Sequence, residues 1–518
     1  MKTLQVGIID LICKGPTNTL WAKTMHANLA SIMPQVIATW CEQKGHKITF
    51  VSYTGSEDLS KELKDDLDIL FISSFTQAAL LSYAISSYYR SRGVVTVLGG
   101  PHARCFPDDA LQYFDYVLGF TDYDVVMDVL RDCEPHSPGI HVSAGRHPMD
   151  ICGVEERWKY VEISLKKAPF LKITPMLSSL GCPYTCPFCI DSEVPYKALN
   201  VDTVKKDLKF LLTKFKKPWV AWHDPNFGIR FDEVMDAIGS VIPSKSFNFI
   251  AESSLSVLTE KHLRVLQKNG FIGLLPGIES WYDLGNKSAT LRITGDEKVK
   301  QVAAHVNTIF RYIPYVQTNF VLGLDCDAGP EPFELTKRFI EKAPGAFPGY
   351  SLLTAFGEAA PLNLEYQRQN RVLPFPFHFL DNHEAMNIKP KNYEWIDFYN
   401  KVIDLTEYSF STRSIFRRFA VGGQMVPRLM NVMRAVSDEG YGRIRFFRKI
   451  RNLLINDHAF RDFFEGESKL LPPFYIDIIK HDLGIWWKWL PTNAFMHERN
   501  AYLKKTIKAS GKAINTEI

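Results

Sequence analysis

Cys182, Cys186 and Cys189 fall within eight residues of one another, in Gly181-Cys-Pro-Tyr-Thr-Cys-Pro-Phe-Cys189. A C-x3-C-x2-C run offers three thiolates from one short loop. Iron–sulfur clusters are normally held by four cysteines, so three leave one iron open to something other than protein. Two plainer chemistries fit less well. Structural zinc closes with four ligands, usually as two separated pairs, and no second Cys or His pair stands near this loop. A disulfide framework suits an odd trio poorly, and the chain shows no sign of export. Its first ten residues are no signal peptide, because Asp10 cuts the apolar run and no small-residue cleavage site follows.

A loop of this kind has to be carried by something rigid, and the surrounding pattern is that of alternating strands and helices. In residues 1–135, Val6–Ile9, Ile48–Ser52, Ile69–Ile72, Val94–Leu98 and Tyr116–Leu118 read as strands, and the segment from Met25 to Lys44 as a helix. Alternating periods of this sort indicate a doubly wound parallel sheet, in which ligands sit beyond the carboxyl ends of the strands. Two of those ends carry small residues, Ser73-Ser74 and Gly99-Gly100, where a large flat ligand could approach the backbone. Glycines after strands also simply turn the chain.

Residues 136–169 lose the pattern and read as a linker. Alternation resumes over 170–390, where Leu171–Leu177 feeds the cysteine loop. Trp219–Trp222, Phe247–Ile250, Gly273–Leu275 and Val316–Leu322 follow as strands, separated by helices at Thr203–Lys214, Thr259–Lys268 and Glu297–Arg311. Repeated strand–helix units predict a full or partial barrel with its chemistry at the carboxyl ends of its strands. Residues 391–518 read as a mainly helical region rich in aromatic and basic residues.

The chain has 518 residues, 46% apolar and 23% charged, which describes a globular protein of several domains. A net charge of +4 is small for this length and gives no argument for nucleic acid. No uncharged apolar stretch of about 18 residues suggests a transmembrane span. Nine cysteines without regular pairing fit a reducing cytoplasm.

With Phe188 just before the third cysteine, the loop resembles the C-x3-C-x-aromatic-C signature of the radical S-adenosylmethionine (SAM) enzymes. The resemblance implies a 4Fe-4S cluster on Cys182, Cys186 and Cys189, SAM on the open iron, and a 5′-deoxyadenosyl radical after reduction by a flavodoxin or ferredoxin. Several strand ends resemble the family's SAM-holding positions. They are Asp224 and Asn226 in His223-Asp-Pro-Asn-Phe227, Glu252 and Ser254 in Ala251-Glu-Ser-Ser254, Glu279 and Ser280 in Gly277-Ile-Glu-Ser280, and Gly323 in Phe320-Val-Leu-Gly-Leu-Asp325. Asp224 is expected near the ammonium of the cofactor.

The N-terminal part adds a second resemblance. Leu98-Gly-Gly-Pro-His-Ala103, Phe106-Pro-Asp-Asp-Ala-Leu111 and Asp115-Tyr-Val-Leu-Gly119 are similar to the cobalamin-binding domain found before such barrels, implying corrin contacts from Ser73, Ser74, Gly99, Gly100 and Gly119. Many such domains carry Asp-x-His-x-x-Gly, whose histidine ligates cobalt. Here the loop is Asp10-Leu-Ile-Cys-Lys-Gly15, with no histidine. The Gly-Glu-Gly stretch after the last strand is also altered, to Gly119-Phe-Thr-Asp122.

The resulting expectation is a cobalamin-dependent radical SAM methyltransferase acting on an unactivated carbon of a small or lipid-like molecule. Cyclisation, ring contraction or another rearrangement on the same scaffold is an alternative, and a non-catalytic cobalamin or redox sensor is one from another class. The segment Arg443–Ile455 reads as a basic amphipathic helix that either touches an anionic membrane or packs its apolar side on the protein. Trp486, Trp487 and Trp489 are open to the same two readings.

Overall fold

A computed structural model describes residues 2–17, 19–192, 194–282, 293–421 and 423–494. Two six-stranded parallel sheets organise them. The first is built from β1 (Gln5–Leu11), β2 (Lys47–Tyr53), β3 (Ile69–Ser74), β4 (Val95–Gly99), β5 (Tyr116–Leu118) and β6 (Ile140–Val142), in the order β2-β1-β3-β4-β5-β6. The order reverses between β1 and β3, so the crevice where doubly wound folds hold ligands lies beyond Leu11 and Ser74.

The helix expected from Met25 to Lys44 is broken in two. Leu20–Met25 is followed by a 3-10 turn, Ala30 is extended, and a new helix runs Ile32–Gln43. Ser31 at its N-cap makes no side-chain cap; instead its N–H donates to the buried Asp10 carboxylate at 2.7 Å. The stretch read as a linker also holds structure, namely β6 and the helix Trp158–Lys167. With three residues and two of them exposed, β6 offers no alternation for a sequence reading to find.

The second sheet contains β7 (Ile173–Met176), β10 (Trp219–Trp222), β11 (Asn248–Ser254), β12 (Phe271–Glu279), β13 (Tyr315–Leu322) and β14 (Phe347–Leu352). Each pairs in parallel with the next, in the order β14-β13-β12-β11-β10-β7. It is a partial barrel, with β7 and β14 at its two edges. Between β7 and β10, a two-residue antiparallel ladder joins β8 (Ser179–Leu180) to β9 (Lys197–Ala198).

Helices make up most of the described residues from Trp395 to Ala494. The basic helix, Arg443–Asn456, buries Ile444, Phe447, Ile450 and Leu454, and the Phe447 ring lies 5.8 Å from that of Tyr399 in the helix Trp395–Ser409. Its apolar face is therefore spent inside the protein. Trp486 and Trp489 meet the Tyr88 ring at 5.4 and 5.0 Å, so these tryptophans tie the C-terminal end to the first sheet. Among the described residues no helix is long and apolar enough to cross a membrane.

Candidate functional site

The cysteine loop is fixed at its base by its neighbours in the chain. It leaves β8 through Gly181 and returns through β9, so the short ladder closes its base. Gly181 has φ +67°, and a Cβ there would stand 2.2 Å from the Pro195 carbonyl oxygen. Only glycine satisfies both conditions. Within the loop, Cys189 N–H donates to Cys186 O at 3.0 Å, Ser192 N–H to Cys189 O at 3.2 Å, and Asp191 N–H to Cys189 Sγ at 3.4 Å. Cys182 and Cys186 are buried, and Cys189 and Phe188 are half-buried. The backbone donor directed at sulfur, Asp191 N–H, suits a thiolate at Cys189, as a cluster ligand would need.

Asp224, at the carboxyl end of β10, lies beneath the entrance of the loop. Its carboxylate accepts from Ser178 N–H at 3.1 Å, Ser178 Oγ at 2.6 Å and Ser179 Oγ at 2.7 Å. Burial raises its pKa, and those donors partly offset the rise. The carboxylate is thus engaged with the chain that leads into Gly181, a geometry that positions the loop.

The other expected SAM residues divide into two groups. Asn226, Glu252, Ser254 and Glu279 line one cleft of about 370 Å³ at the carboxyl ends of β10, β11 and β12, together with Gly277 and Asn319. Asn226 is buried, bonds Ser254 Oγ at 3.5 Å through its amide nitrogen, and leaves Oδ1 without a partner. A buried acceptor in that state costs free energy until a donor reaches it. Glu279 has φ +65°, an uncommon backbone for a side chain, and its Oε1 folds back to within 2.1 Å of where a Gly277 Cβ would lie. Strain concentrated at a cleft of carboxylates and an orphan acceptor suits a cationic ligand rich in hydroxyl donors. SAM, with its sulfonium, ammonium and ribose, fits that description.

The second group, Asp224, Phe188, Ser280 and Gly323, does not line this cleft. Ser280 is buried, accepting from Tyr282 N–H at 3.1 Å and meeting Cys326 Sγ at 3.6 Å. Gly323 backs onto Met386 and Phe398. Asn319 went unread in the sequence. Its signal is the polar pair Gln317 and Asn319, two residues apart on one face of a mostly apolar strand, joined Nε2 to Oδ1 at 2.6 Å.

On the first sheet, Ser73 pairs in register with Gly99, and Gly100 (φ +92°) rides over this strand end, its missing Cβ 3.0 Å from Ser74 O. Open space lies beside Gly99. Gly119 sits apart, against Ser143 and His141. The position that would carry the cobalt-ligating histidine holds Ile12, buried, with its N–H donating to Tyr53 O at 3.1 Å. Small residues at these strand ends, with Ile12 where an imidazole would stand, would suit a corrin held by shape.

The two sheets are tied together around these edges. Arg104, just past the Gly100 turn, forms a 2.9 Å ion pair with Asp191 of the cysteine loop. Phe377 packs its ring 4.3 Å from that of Phe106 and 4.8 Å from that of His102. Lys14 donates to His378 O at 3.0 Å and pairs with Asp381 and Glu384.

No protein-family model matches the chain. It is 22% identical over 325 residues to a bacteriochlorophyllide d C-12(1)-methyltransferase of Chlorobaculum tepidum, covering 60% of this chain and 68% of that protein. It is 24% identical over 321 residues to the C-8(2)-methyltransferase of the same organism, covering 56% and 66%. Among solved structures, the radical SAM methyltransferase TsrM of Kitasatospora setae, with cobalamin and a 4Fe-4S cluster bound, superposes with a TM-score of 0.53. The match has 13% identity and covers 71% of this chain and 75% of that one. The TsrM structure with tryptophan and a SAM analogue gives 0.51 over 72% and 78%. These matches share the parallel α/β architecture laid out above.

Proposed function

We propose that this chain, a radical SAM enzyme with an N-terminal domain of the cobalamin-binding type, transfers a methyl group to an unactivated carbon of an apolar small molecule. The observation that carries the reading is the three-cysteine loop, pinned by Gly181 and Asp224 and ion-paired through Asp191 to the glycine-lined edge of the first sheet. When bound, the cluster, SAM and cobalamin supply reductive cleavage of a sulfonium and a transferable methyl group. The protein's part is placement. Cys182, Cys186 and Cys189 hold the cluster. Asn226 Oδ1, Glu252, Ser254 and Glu279 receive the donors and positive charge of SAM. Asp224 fixes the height of the loop above the barrel mouth. Ser73, Ser74, Gly99 and Gly100 would let the corrin lie against the strand ends, Ile12 offers the cobalt no imidazole, and Gly119 stands apart from that edge, against Ser143 and His141.

The two Chlorobaculum relatives are named for a bacteriochlorophyllide, a large and mostly apolar ring, so a tetrapyrrole is the first substrate class to test. A flavodoxin or ferredoxin in a reducing cytoplasm supplies the electron. The test is anaerobic reconstitution with iron, sulfide, hydroxocobalamin, SAM and a strong reductant. Formation of 5′-deoxyadenosine and S-adenosylhomocysteine, both lost in Cys182→Ala, Cys186→Ala and Cys189→Ala, is the expected result. Deoxyadenosine without S-adenosylhomocysteine would overturn methyl transfer, and the absence of both would overturn the radical reading.

A further inference from the structure

Among the described residues, the hairpin of helices Thr412–Val421 and Met425–Val436 stands out by what it shows to solvent. Six of the sixteen exposed large apolar side chains among the described residues lie on it: Phe416, Val421, Met425, Val426, Leu429 and Val436. Phe416 is 70% exposed and Met425 58%, values at which an apolar side chain gains almost nothing from the fold. Met425 and Leu429 stand one turn apart on the same face. At the tip, Gly423 and Gln424 add no charge.

Charge on the hairpin has one sign. Residues 412–436 contain five arginines and no aspartate or glutamate. Two of the five are buried and occupied. Arg418 donates to Ala346 O and Ser409 O, both at 3.0 Å, and Arg434 pairs with Glu439 and reaches Tyr315 and Gln317 at the foot of β13. These two root the hairpin in the barrel. Arg413 and Arg417 are exposed, one turn apart and flanking Phe416; Arg428 is half-buried over the Phe419 ring at 5.5 Å.

We infer that this hairpin docks the enzyme on an anionic phospholipid surface, with its apolar side chains in the acyl boundary and Arg413 and Arg417 on the headgroups. Helices of ten and twelve residues reach only about 15–18 Å at about 1.5 Å per residue, too short to span a bilayer core of about 30 Å, so they lie in the interface. The absence of acidic residues over 412–436 selects a negatively charged partner, and the six exposed apolar side chains select a lipid over a soluble polyanion. The basic helix Arg443–Asn456 lacks this capacity, because its apolar face is buried and its Arg448 is paired to Glu407. Docking through the hairpin approaches the barrel from the foot of β13, opposite the strand ends that hold the cofactors.

The test is flotation of the full chain with vesicles of phosphatidylglycerol and phosphatidylcholine, compared with phosphatidylcholine alone. The wild-type protein should float with the anionic vesicles at low salt and detach as salt screens the arginines. Arg413→Glu with Arg417→Glu should lower partitioning by roughly tenfold or more. Phe416→Asp, Met425→Asp and Leu429→Asp together should abolish flotation while deoxyadenosine formation from SAM stays at the wild-type level, which shows the fold intact. Wild-type protein that stays at the bottom with both lipids would overturn the inference, as would a triple variant that floats like the wild type. A wild-type dimer that the same three changes convert to monomer, without vesicle binding, would assign the face to a second copy of the chain.

Discussion

Gly181 provides a controlled measurement of how much the cysteine loop depends on its hinge. Gly181→Ala introduces two costs that can be separated. The first is a left-handed backbone under a Cβ, about 1–2 kcal/mol. The second is collision, since the new Cβ lies 2.2 Å from Pro195 O and 2.9 Å from Val194 O. At an ordinary contact of roughly 3.5 Å, Pro195 has to retreat by roughly 1 Å. Pro195 enters β9, the partner of β8, so that retreat opens the ladder one residue from Cys182. We expect about 3 kcal/mol in all. Gly145→Ala is the internal control: it has the same φ of +67° but nothing within 4 Å of its Cβ, so it meets the backbone cost alone. The assay is iron and acid-labile sulfide per chain after identical anaerobic reconstitution, together with thermal unfolding. Gly181→Ala should lose most of its iron and melt several degrees below Gly145→Ala. Equal iron content and equal melting temperatures in the two variants would refute the claim that the hinge shapes the cluster site.

Asn226→Leu keeps the volume but removes the orphan acceptor, and SAM affinity by equilibrium dialysis should fall roughly tenfold, the effect of about 1.4 kcal/mol; unchanged affinity would take Asn226 out of the site. A double-mutant cycle on Arg104→Ala and Asp191→Ala should give a coupling of about 0.5–1 kcal/mol, the scale of a half-exposed pair, whereas additive effects would mean that the two sheets do not communicate there. Burial pushes the Asp327 carboxyl up to about 7. The folded protein therefore keeps a proton that the unfolded chain releases near its ordinary value, and this contribution to stability is lost as pH rises from about 4 to 7. Asp327→Asn should remove that decline in denaturant titrations, and an unchanged pH profile would contradict the assignment. Electron paramagnetic resonance of bound cob(II)alamin should show no nitrogen coupling from protein, because Ile12 stands at the histidine position; an axial nitrogen signal would count against the corrin seat proposed at Gly99 and Gly100.

The features legible in the sequence were those set by neighbours in the chain. Three cysteines in eight residues need no fold to be recognised, and Ile69–Ile72 and Val316–Leu322 read as strands from composition, within the observed Ile69–Ser74 and Tyr315–Leu322. β14 went unassigned, and Pro348 and Gly349 interrupt its apolar pattern; an edge strand tolerates both, since one of its sides needs no ladder. Asp224 was found, but its employer was not, because Ser178 and Ser179 lie more than forty residues earlier and only the β7–β10 pairing brings them together. Residues 412–436 and 443–456 are both apolar and basic at helical spacing. Which of the two turns its apolar face outward is decided by what packs on it, and no pattern within either segment records that.

The ties across the two sheets also limit how this protein can be taken apart and recombined. Arg104 with Asp191, Lys14 with Asp381 and Glu384, and Phe377 with His102 and Phe106 are contacts that join residues of the first 135 to residues beyond 170. A barrel transplanted onto the corrin-type domain of a distant homologue arrives with Asp191, Asp381 and Glu384 facing strangers. Each orphaned carboxylate then carries its desolvation without its cation. Hybrids of this architecture should work only when such pairs travel together, so that the heritable unit is the seam between the domains as much as either domain alone.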